Sequence, residues 1–186
     1  LSDPTVADAQ QLRYREQGSE EWETITAETK LRTFVTNGYQ AVNVNKVTIT
    51  GLKQETVYEY QVSSNSGWSE LSTFHGGIQE GAGQKFFLLG DIQAEDRTNI
   101  TNIFNKAGNY DFGVQTGDAV DKPTSYQETA ETVQLLCAEN LGDTDVIHVL
   151  GNHEFEGDGN ADIAGSIFDL PAHTPGSCWS TTYGNV

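Results

Sequence analysis

Apolar side chains occupy every second position in several short stretches of the first 77 residues. The alternating positions are Leu12 and Tyr14, Val47 and Ile49, and Tyr58, Tyr60 and Val62. The residues between them are polar, and glycine and asparagine clusters separate the stretches. Alternation of this kind, with β-branched and aromatic residues, is typical of antiparallel strands that have one face in solvent. We therefore predict antiparallel β-strands over residues 10–74.

The pattern changes after a glycine-rich stretch, and we assign residues 78–83 to a linker. Beyond it, the continuously apolar run Phe86–Leu89 predicts a strand that is buried on both faces. Two further strands are predicted at Phe112–Gln115 and Val146–Leu150. Apolar residues at helical spacing predict a helix in each interval, with core positions Ile100, Ile103, Phe104 and Ala107, and then Ala130, Val133, Leu136, Cys137 and Leu141. This β-α-β-α-β order predicts right-handed crossovers and a mostly parallel sheet over residues 84–186.

Composition narrows the class of protein without assigning a function. The chain has 27 acidic and 10 basic residues, a formal net charge of −17. Such a charge repels nucleic-acid phosphates, so we expect no nucleic-acid partner, although a small phosphate ester remains compatible if cations lie between it and the protein. No apolar run reaches the roughly 18–20 residues of a membrane span. Cys137 and Cys178 are too few for a disulfide framework, and whether they pair stays open. The absence of methionine indicates a processed chain or a piece of a longer one.

Each predicted strand of the second part ends in a short polar loop. The three loops are Gly90-Asp91-Ile92-Gln93, Gly117-Asp118-Ala119-Val120-Asp121 and Gly151-Asn152-His153-Glu154. In a parallel sheet they would meet at the C-terminal edge, where ligands of open α/β sheets bind. A carboxylate cluster without a basic partner repels itself unless cations are bound, and hard oxygen ligands suit metal ions. Taken singly, Asp91 or Asp118 could instead cap a helix; taken together, the loops favour a metal site.

The three loops resemble the motifs D-x-H, G-D-x-x-D and G-N-H-D/E of the calcineurin-like metallophosphoesterases. Residues 52–62 also resemble the fibronectin type III pattern L-x-P-x-T-x-Y-x-x-x-V, with Gln54 in place of proline and Tyr58 at the position of a tyrosine corner. This combination is similar to the purple acid phosphatases. The resemblance implies a fibronectin III-like β-sandwich over residues 1–77, clipped at its N-terminus, followed by the first half of an α/β metallophosphoesterase domain over residues 84–186.

The resemblance also implies a role for each loop residue. Asp91 would bind the first of two metal ions (Fe, Mn or Zn), Asp118 would bridge both, and Asn152 would bind the second. Gln93 stands where the family has a ligating histidine and would be either a weaker ligand through its amide oxygen or a loop residue that does not bind the metal. His153 would act as the general acid. Asp121 replaces the tyrosine of the purple enzymes and would orient His153 and favour its protonated form. We expect Glu154 to be a hydrogen-bond acceptor behind the ligands.

The implied activity is hydrolysis of small phosphate monoesters, in which water activated by two metal ions attacks phosphorus. Phosphodiester or nucleotide hydrolysis is an alternative, as is a non-catalytic cell-surface binding protein with a degenerate phosphoesterase fold. The family has two further motifs, a lone histidine and G-H-x-H, and neither occurs before Val186. We therefore expect the segment alone to be inactive, with the remaining half of the domain supplied by the same parent chain or by a second polypeptide. The acidic, lysine-poor surface and the fibronectin-like part favour a secreted, periplasmic or cell-surface location.

Overall fold

A computed structural model describes ten β-strands and one 3-10 helix. It covers residues 5, 9–34, 40–77, 81–93, 98, 100–102, 110–121, 128–129, 132, 145–155, 165, 167–168, 170 and 178–183. The strands are β1 (Gln11–Glu16), β2 (Glu23–Thr26), β3 (Glu28–Phe34), β4 (Gln40–Lys46), β5 (Val57–Ser64), β6 (Gly67–Trp68), β7 (Ser72–His75), β8 (Phe86–Leu89), β9 (Phe112–Gln115) and β10 (Asp145–His148). The 3-10 helix spans His153–Phe155.

The N-terminal strands pair antiparallel in two sheets, which confirms the strand type predicted from the alternation. One sheet has the order β2-β1-β5-β6, with β7 also paired to β5, and β3 and β4 form a separate two-stranded sheet. The predicted strand positions Val47 and Ile49 lie outside both sheets. The β3–β4 ladder ends where Glu28 pairs with Lys46. It cannot extend, because the preceding Ala27 N–H donates to the Gln10 carbonyl beside the first sheet, 2.8 Å away.

Tyr58 makes the hydrogen bond that defines a tyrosine corner. The Lys53 N–H, five residues upstream, donates to the Tyr58 hydroxyl oxygen over 2.9 Å. The ring of Tyr58 is buried and stacks on Phe74, with 5.3 Å between the ring centroids. Tyr14 packs beside it at 6.1 Å. The corner thus fixes the start of β5 against an aromatic cluster on one face of the larger sheet.

Trp22 and Trp68, beside and in the larger sheet, lie against an arginine side chain. The Arg13 guanidinium lies 4.5 Å from the ring centroids of both Trp22 and Trp68. The Arg13 Nε–H also donates to the Gln61 side-chain oxygen over 3.0 Å. Trp68 is 36% exposed and therefore lies at the surface. A planar guanidinium held in place on a strand offers the indole faces a cation–π partner at the surface.

Strands β8, β9 and β10 form a parallel sheet of order β10-β9-β8, as predicted. Residues 98, 100–102, 128–129 and 132 are helical and lie in the two intervals between strands. Most of the two predicted helices, including Cys137, falls outside the described residues. On one face of the sheet, Phe87 and Leu89 pack against a cluster of Ile92, Ile100 and Ala119.

The opposite face of this sheet is largely open within the described part of the chain. Phe86 and Leu88 are 45% and 66% exposed. The prediction that β8 is buried on both faces is therefore wrong, because β8 is an edge strand with one covered face. Residues 178–183 lie partly over this face and belong to no strand. Tyr183 packs against Phe112 with the rings tilted by 36°, and it donates a hydrogen bond to the Asp111 carbonyl over 3.1 Å. In the described part of the chain, no helix is long and apolar enough to cross a membrane.

Candidate metal centre

The three loops that follow β8, β9 and β10 lie side by side at the C-terminal edge of the parallel sheet. Backbone hydrogen bonds connect the first two loops beyond the strand ladder. The Asp91 N–H donates to the Gly117 carbonyl and the Gln93 N–H donates to the Asp118 carbonyl, both over 3.0 Å. The sheet therefore brings together the residues predicted from the loop motifs, as parallel pairing requires.

Glycine allows the second and third loops to approach at backbone distance. Gly117 has φ +109°, and a Cβ atom there would lie 2.6 Å from the Gly151 Cα. A Cβ atom on Gly151 would in turn lie 2.2 Å from an Asp118 carboxylate oxygen. Only glycine fits at these two positions without movement of the neighbouring loop. The contact places the Asp118 carboxylate directly beside the turn that carries Asn152 and His153.

Asp118 is half-buried and has a left-handed backbone conformation, with φ +54°. Its Oδ1 accepts a hydrogen bond from the His153 backbone N–H over 2.9 Å. Within the described part of the chain, Oδ2 accepts no hydrogen bond. Asp91 and Gln93 are left-handed as well, with φ +56° and +40°. Such conformations are uncommon for residues other than glycine and concentrate at functional sites.

Glu154 is buried under the loops, with only 1% of its surface exposed. Its Oε2 accepts hydrogen bonds from the N–H groups of Asp118 (2.9 Å) and Gly151 (2.7 Å). Its Oε1 accepts from Ala119 (2.7 Å) and, at 3.4 Å, from Val120. Four backbone donors from two loops thus surround one carboxylate, which satisfies the requirement that a buried charge be hydrogen-bonded.

Gln115 is a second buried polar side chain at this edge, and the sequence reasoning missed it. It is 1% exposed at the end of β9. Its Nε2 donates to the Gly117 carbonyl over 2.7 Å, and its Oε1 accepts from the Gly117 N–H over 3.1 Å. The only sequence signal was an amide side chain that ends an otherwise apolar strand two residues before a turn glycine.

His153 and Asp121 lie next to each other, as the motif comparison predicted. The His153 Nδ1 is 3.1 Å from the Asp121 backbone carbonyl and 3.4 Å from its carboxylate Oδ1. A carbonyl oxygen can only accept, so this contact is a hydrogen bond in the tautomer that carries a proton on Nδ1. The arrangement fixes the plane of the imidazole ring.

The donor atoms at this edge fit part of a site for a hard cation. Asp91 and Asp118 offer carboxylate oxygens, and Asn152 and Gln93 offer amide oxygens. Asp91 and Asn152 are exposed, and Asp118 and Gln93 are half-buried. Oxygen donors of this kind suit Mg²⁺ and Mn²⁺, and carboxylates also bind Zn²⁺ and iron. Among the described residues, no group of three or more His, Cys, Asp or Glu side chains is placed to hold a metal ion.

His148 is a core residue rather than a ligand, as its position in an apolar strand indicated. It is 7% exposed and stacks on Phe168, with 4.1 Å between ring centroids. Its Nδ1 is buried and has no hydrogen-bond partner among the described residues. Burial disfavours the charged imidazolium and lowers the pKa of His148 from 6.5 to about 4.

Residues 84–179 match the sequence pattern of the family described as calcineurin-like phosphoesterase, over more than half of the 186 residues. The chain belongs to this family. Residues 2–75 of this calcineurin-like phosphoesterase match the family described as the N-terminal domain of purple acid phosphatase. Both matches confirm the resemblance drawn from the loop motifs and the N-terminal strands.

Comparison of this phosphoesterase with individual curated proteins gave no match. Among solved structures, one titled "Structure of PhoD" has a similar fold, with a TM-score of 0.54 and 13% sequence identity. The similarity covers 94% of this chain and 40% of that chain. This chain therefore spans less than half the length of the structure that it matches.

Proposed function

We propose that the protein hydrolyses phosphate monoesters at a centre of two metal ions, to which this chain contributes Asp91, Asp118, Asn152 and, as a weaker ligand, Gln93. Family membership supports metal-dependent hydrolysis of phosphate esters in general. The observation that carries the more specific proposal is the convergence of the three loops, which sets carboxylate and amide oxygens at one sheet edge. A small phosphate ester is the substrate that such a site would take.

The ions in this proposal are divalent or trivalent, with Fe, Mn and Zn as candidates. When bound, they supply Lewis acidity and lower the pKa of a water molecule. The role of the protein is to hold the oxygen ligands close together despite their mutual repulsion. The Glu154 carboxylate and the paired glycines hold the second and third loops in contact, which supports this role.

His153 is the proposed general acid, and it would protonate the departing alkoxide through Nε2. Asp121 supports this role, because its carbonyl and carboxylate oxygens both lie near Nδ1. The Asp121 carboxylate favours the protonated imidazolium, which is the form that can donate.

The remaining ligands would come from the other half of the domain, in the same parent chain or in a second polypeptide. Two observations support this part of the proposal: the described residues hold no group of three or more His, Cys, Asp or Glu side chains placed for a metal ion, and the chain covers 40% of its structural neighbour. The N-terminal strands would form a fibronectin-like sandwich, for which the tyrosine corner at Tyr58 is the local support. We also propose that the protein is exported to the periplasm, the cell surface or the medium.

The deciding experiment uses the complete protein that contains these residues. We expect two equivalents of metal by elemental analysis, hydrolysis of p-nitrophenyl phosphate in preference to a bis(p-nitrophenyl) diester, and loss of activity on chelation. His153→Ala should lower kcat by roughly 10²–10⁴ while metal content stays unchanged. Unchanged turnover of that variant would disprove the general-acid role. A protein without metal or hydrolysis would instead favour the non-catalytic binding alternative, which Gln93 at a histidine position motivates.

A further inference from the structure

We infer that Gln115 is a positioning residue, which fixes the Asp118 carboxylate for metal binding by clamping the peptide groups of Gly117. The inference rests on the proposed function, since it concerns the affinity of that metal site. Gln115 lies outside the three loop motifs and contributes no ligand atom. Its effect would act through the backbone of the loop that follows β9.

The clamp consists of two hydrogen bonds from one buried amide. The Gln115 Nε2 donates to the Gly117 carbonyl over 2.7 Å, and its Oε1 accepts from the Gly117 N–H over 3.1 Å. Gly117 is itself buried and has φ +109°. A turn of this shape leaves its peptide groups out of the strand ladder, and buried peptide groups need partners. Gln115 supplies a partner for the donor and another for the acceptor.

The same carbonyl connects two of the proposed ligands. The Gly117 carbonyl oxygen accepts from Gln115 Nε2 and also from the Asp91 backbone N–H, at 3.0 Å. Asp118, the next residue, has the strained φ of +54°. A shift of the Gly117 peptide would therefore move the Asp91 and Asp118 loops relative to each other. Metal sites are sensitive to such shifts, since groups behind the ligands hold them in orientation.

Glu154 completes the clamp from the other side of the loop. The N–H groups of four consecutive residues, from Gly117 to Val120, all point at a buried side-chain oxygen of either Gln115 or Glu154. The loop is thus held by side chains rather than by a strand partner. Gln115 is the member of this pair that can be changed without removing a charge, which makes it the better subject for a test.

The test compares three variants of the complete protein. Gln115→Met keeps the length of the side chain and removes both hydrogen bonds, whereas Gln115→Glu keeps the acceptor for the Gly117 N–H and loses the donor. Tyr58→Phe is the matched control, because it removes one part-buried hydrogen bond from a backbone N–H at the start of a strand in the N-terminal sheet. Metal-free protein is titrated with Mn²⁺ by calorimetry, and amide hydrogen exchange is measured over residues 116–120.

We expect Gln115→Met to raise the Kd for Mn²⁺ by about 10-fold and to speed amide exchange in the 116–120 loop. Gln115→Glu should raise the Kd at least as much, because its buried carboxylate would set a second acceptor against the Gly117 carbonyl, and either variant serves if the other does not fold. Tyr58→Phe should lower the melting temperature and leave both measurements unchanged. A wild-type Kd in folded Gln115→Glu or Gln115→Met would overturn the positioning role alone. Wild-type protein that binds no Mn²⁺ would overturn the proposed function and this inference with it.

Discussion

His148 shows how one buried side chain makes this fold sensitive to pH. His148 is the last residue of β10, and its imidazole stacks on Phe168. Burial lowers the pKa of this imidazole to about 4. In the unfolded chain the pKa is 6.5. Below that pH the unfolded state binds a proton that the folded state rejects, so the folded state loses stability as the pH falls from 6.5 towards 4.

We therefore expect His148→Phe to reduce the acid sensitivity of folding. Between pH 7 and pH 5 the wild-type protein should lose about 2 kcal/mol of unfolding free energy through this residue, because one pKa unit corresponds to about 1.4 kcal/mol. Urea unfolding at the two pH values measures the loss, and the phenylalanine variant should lose correspondingly less. His75→Gln, a change at an exposed histidine, is the control. The same pH dependence in His148→Phe and wild type would contradict the assignment.

At the scale of elements, the site depends on loops packed more closely than side chains allow. The second and third loops meet at Gly117 and Gly151, and the Asp118 carboxylate lies against that contact. Any side chain at the contact must push the loops apart. Loop spacing, and not only the identity of the ligands, should therefore govern metal binding.

Gly117→Ala tests this spacing, and Gly18→Ala provides a matched control. Both glycines have positive φ, +109° and +86°, so alanine meets backbone strain of roughly 1–2 kcal/mol at either position. Only at Gly117 would the new Cβ also meet backbone atoms, 2.6 Å away; at Gly18 nothing lies within 4 Å. We expect Gly18→Ala to cost about 1 kcal/mol in urea unfolding and Gly117→Ala to cost about 3 kcal/mol or more, with weakened Mn²⁺ binding. Equal costs for the two variants would show that the loops separate freely.

Some residues of this site can be located from the sequence alone, and others cannot, for a physical reason. Asp91, Asp118 and Asn152 could be located because a turn glycine and a polar residue after an apolar strand are local signals. Gln115 could not, because its partners depend on how the chain turns back at Gly117. The burial of β8 was misjudged for a related reason, because an apolar residue does not reveal whether another element or solvent lies over it. Local pattern predicts the strands and their loops, whereas burial depends on the neighbouring elements.

At the scale of the whole molecule, one face of the parallel sheet carries more exposed apolar surface than a soluble α/β protein normally leaves open. Phe86, Leu88 and Val149 are 45%, 66% and 41% exposed. Parallel sheets are as a rule covered on both faces. In the proposed function the remaining metal ligands come from the other half of the domain, and this face lies on the sheet whose edge carries the first ligands. We expect the remaining ligands and the cover of this face to come from one and the same segment, in the parent chain or in a second polypeptide.

Leu88→Glu distinguishes a covered face from an open one. In the 186-residue chain the new carboxylate would be in solvent, so we expect a change of less than about 0.5 kcal/mol in unfolding free energy. In the complete protein it would be buried without a partner and should cost about 3 kcal/mol or more. Leu31→Glu, at a leucine that is 56% exposed on β3, is the control and should be nearly neutral in both. The shorter chain should also bind fewer than two metal equivalents and leave p-nitrophenyl phosphate intact. If Leu88→Glu were neutral in a complete and active protein, the chain that completes the metal site would have to pack elsewhere, since the exposed face would then be solvated in the working enzyme.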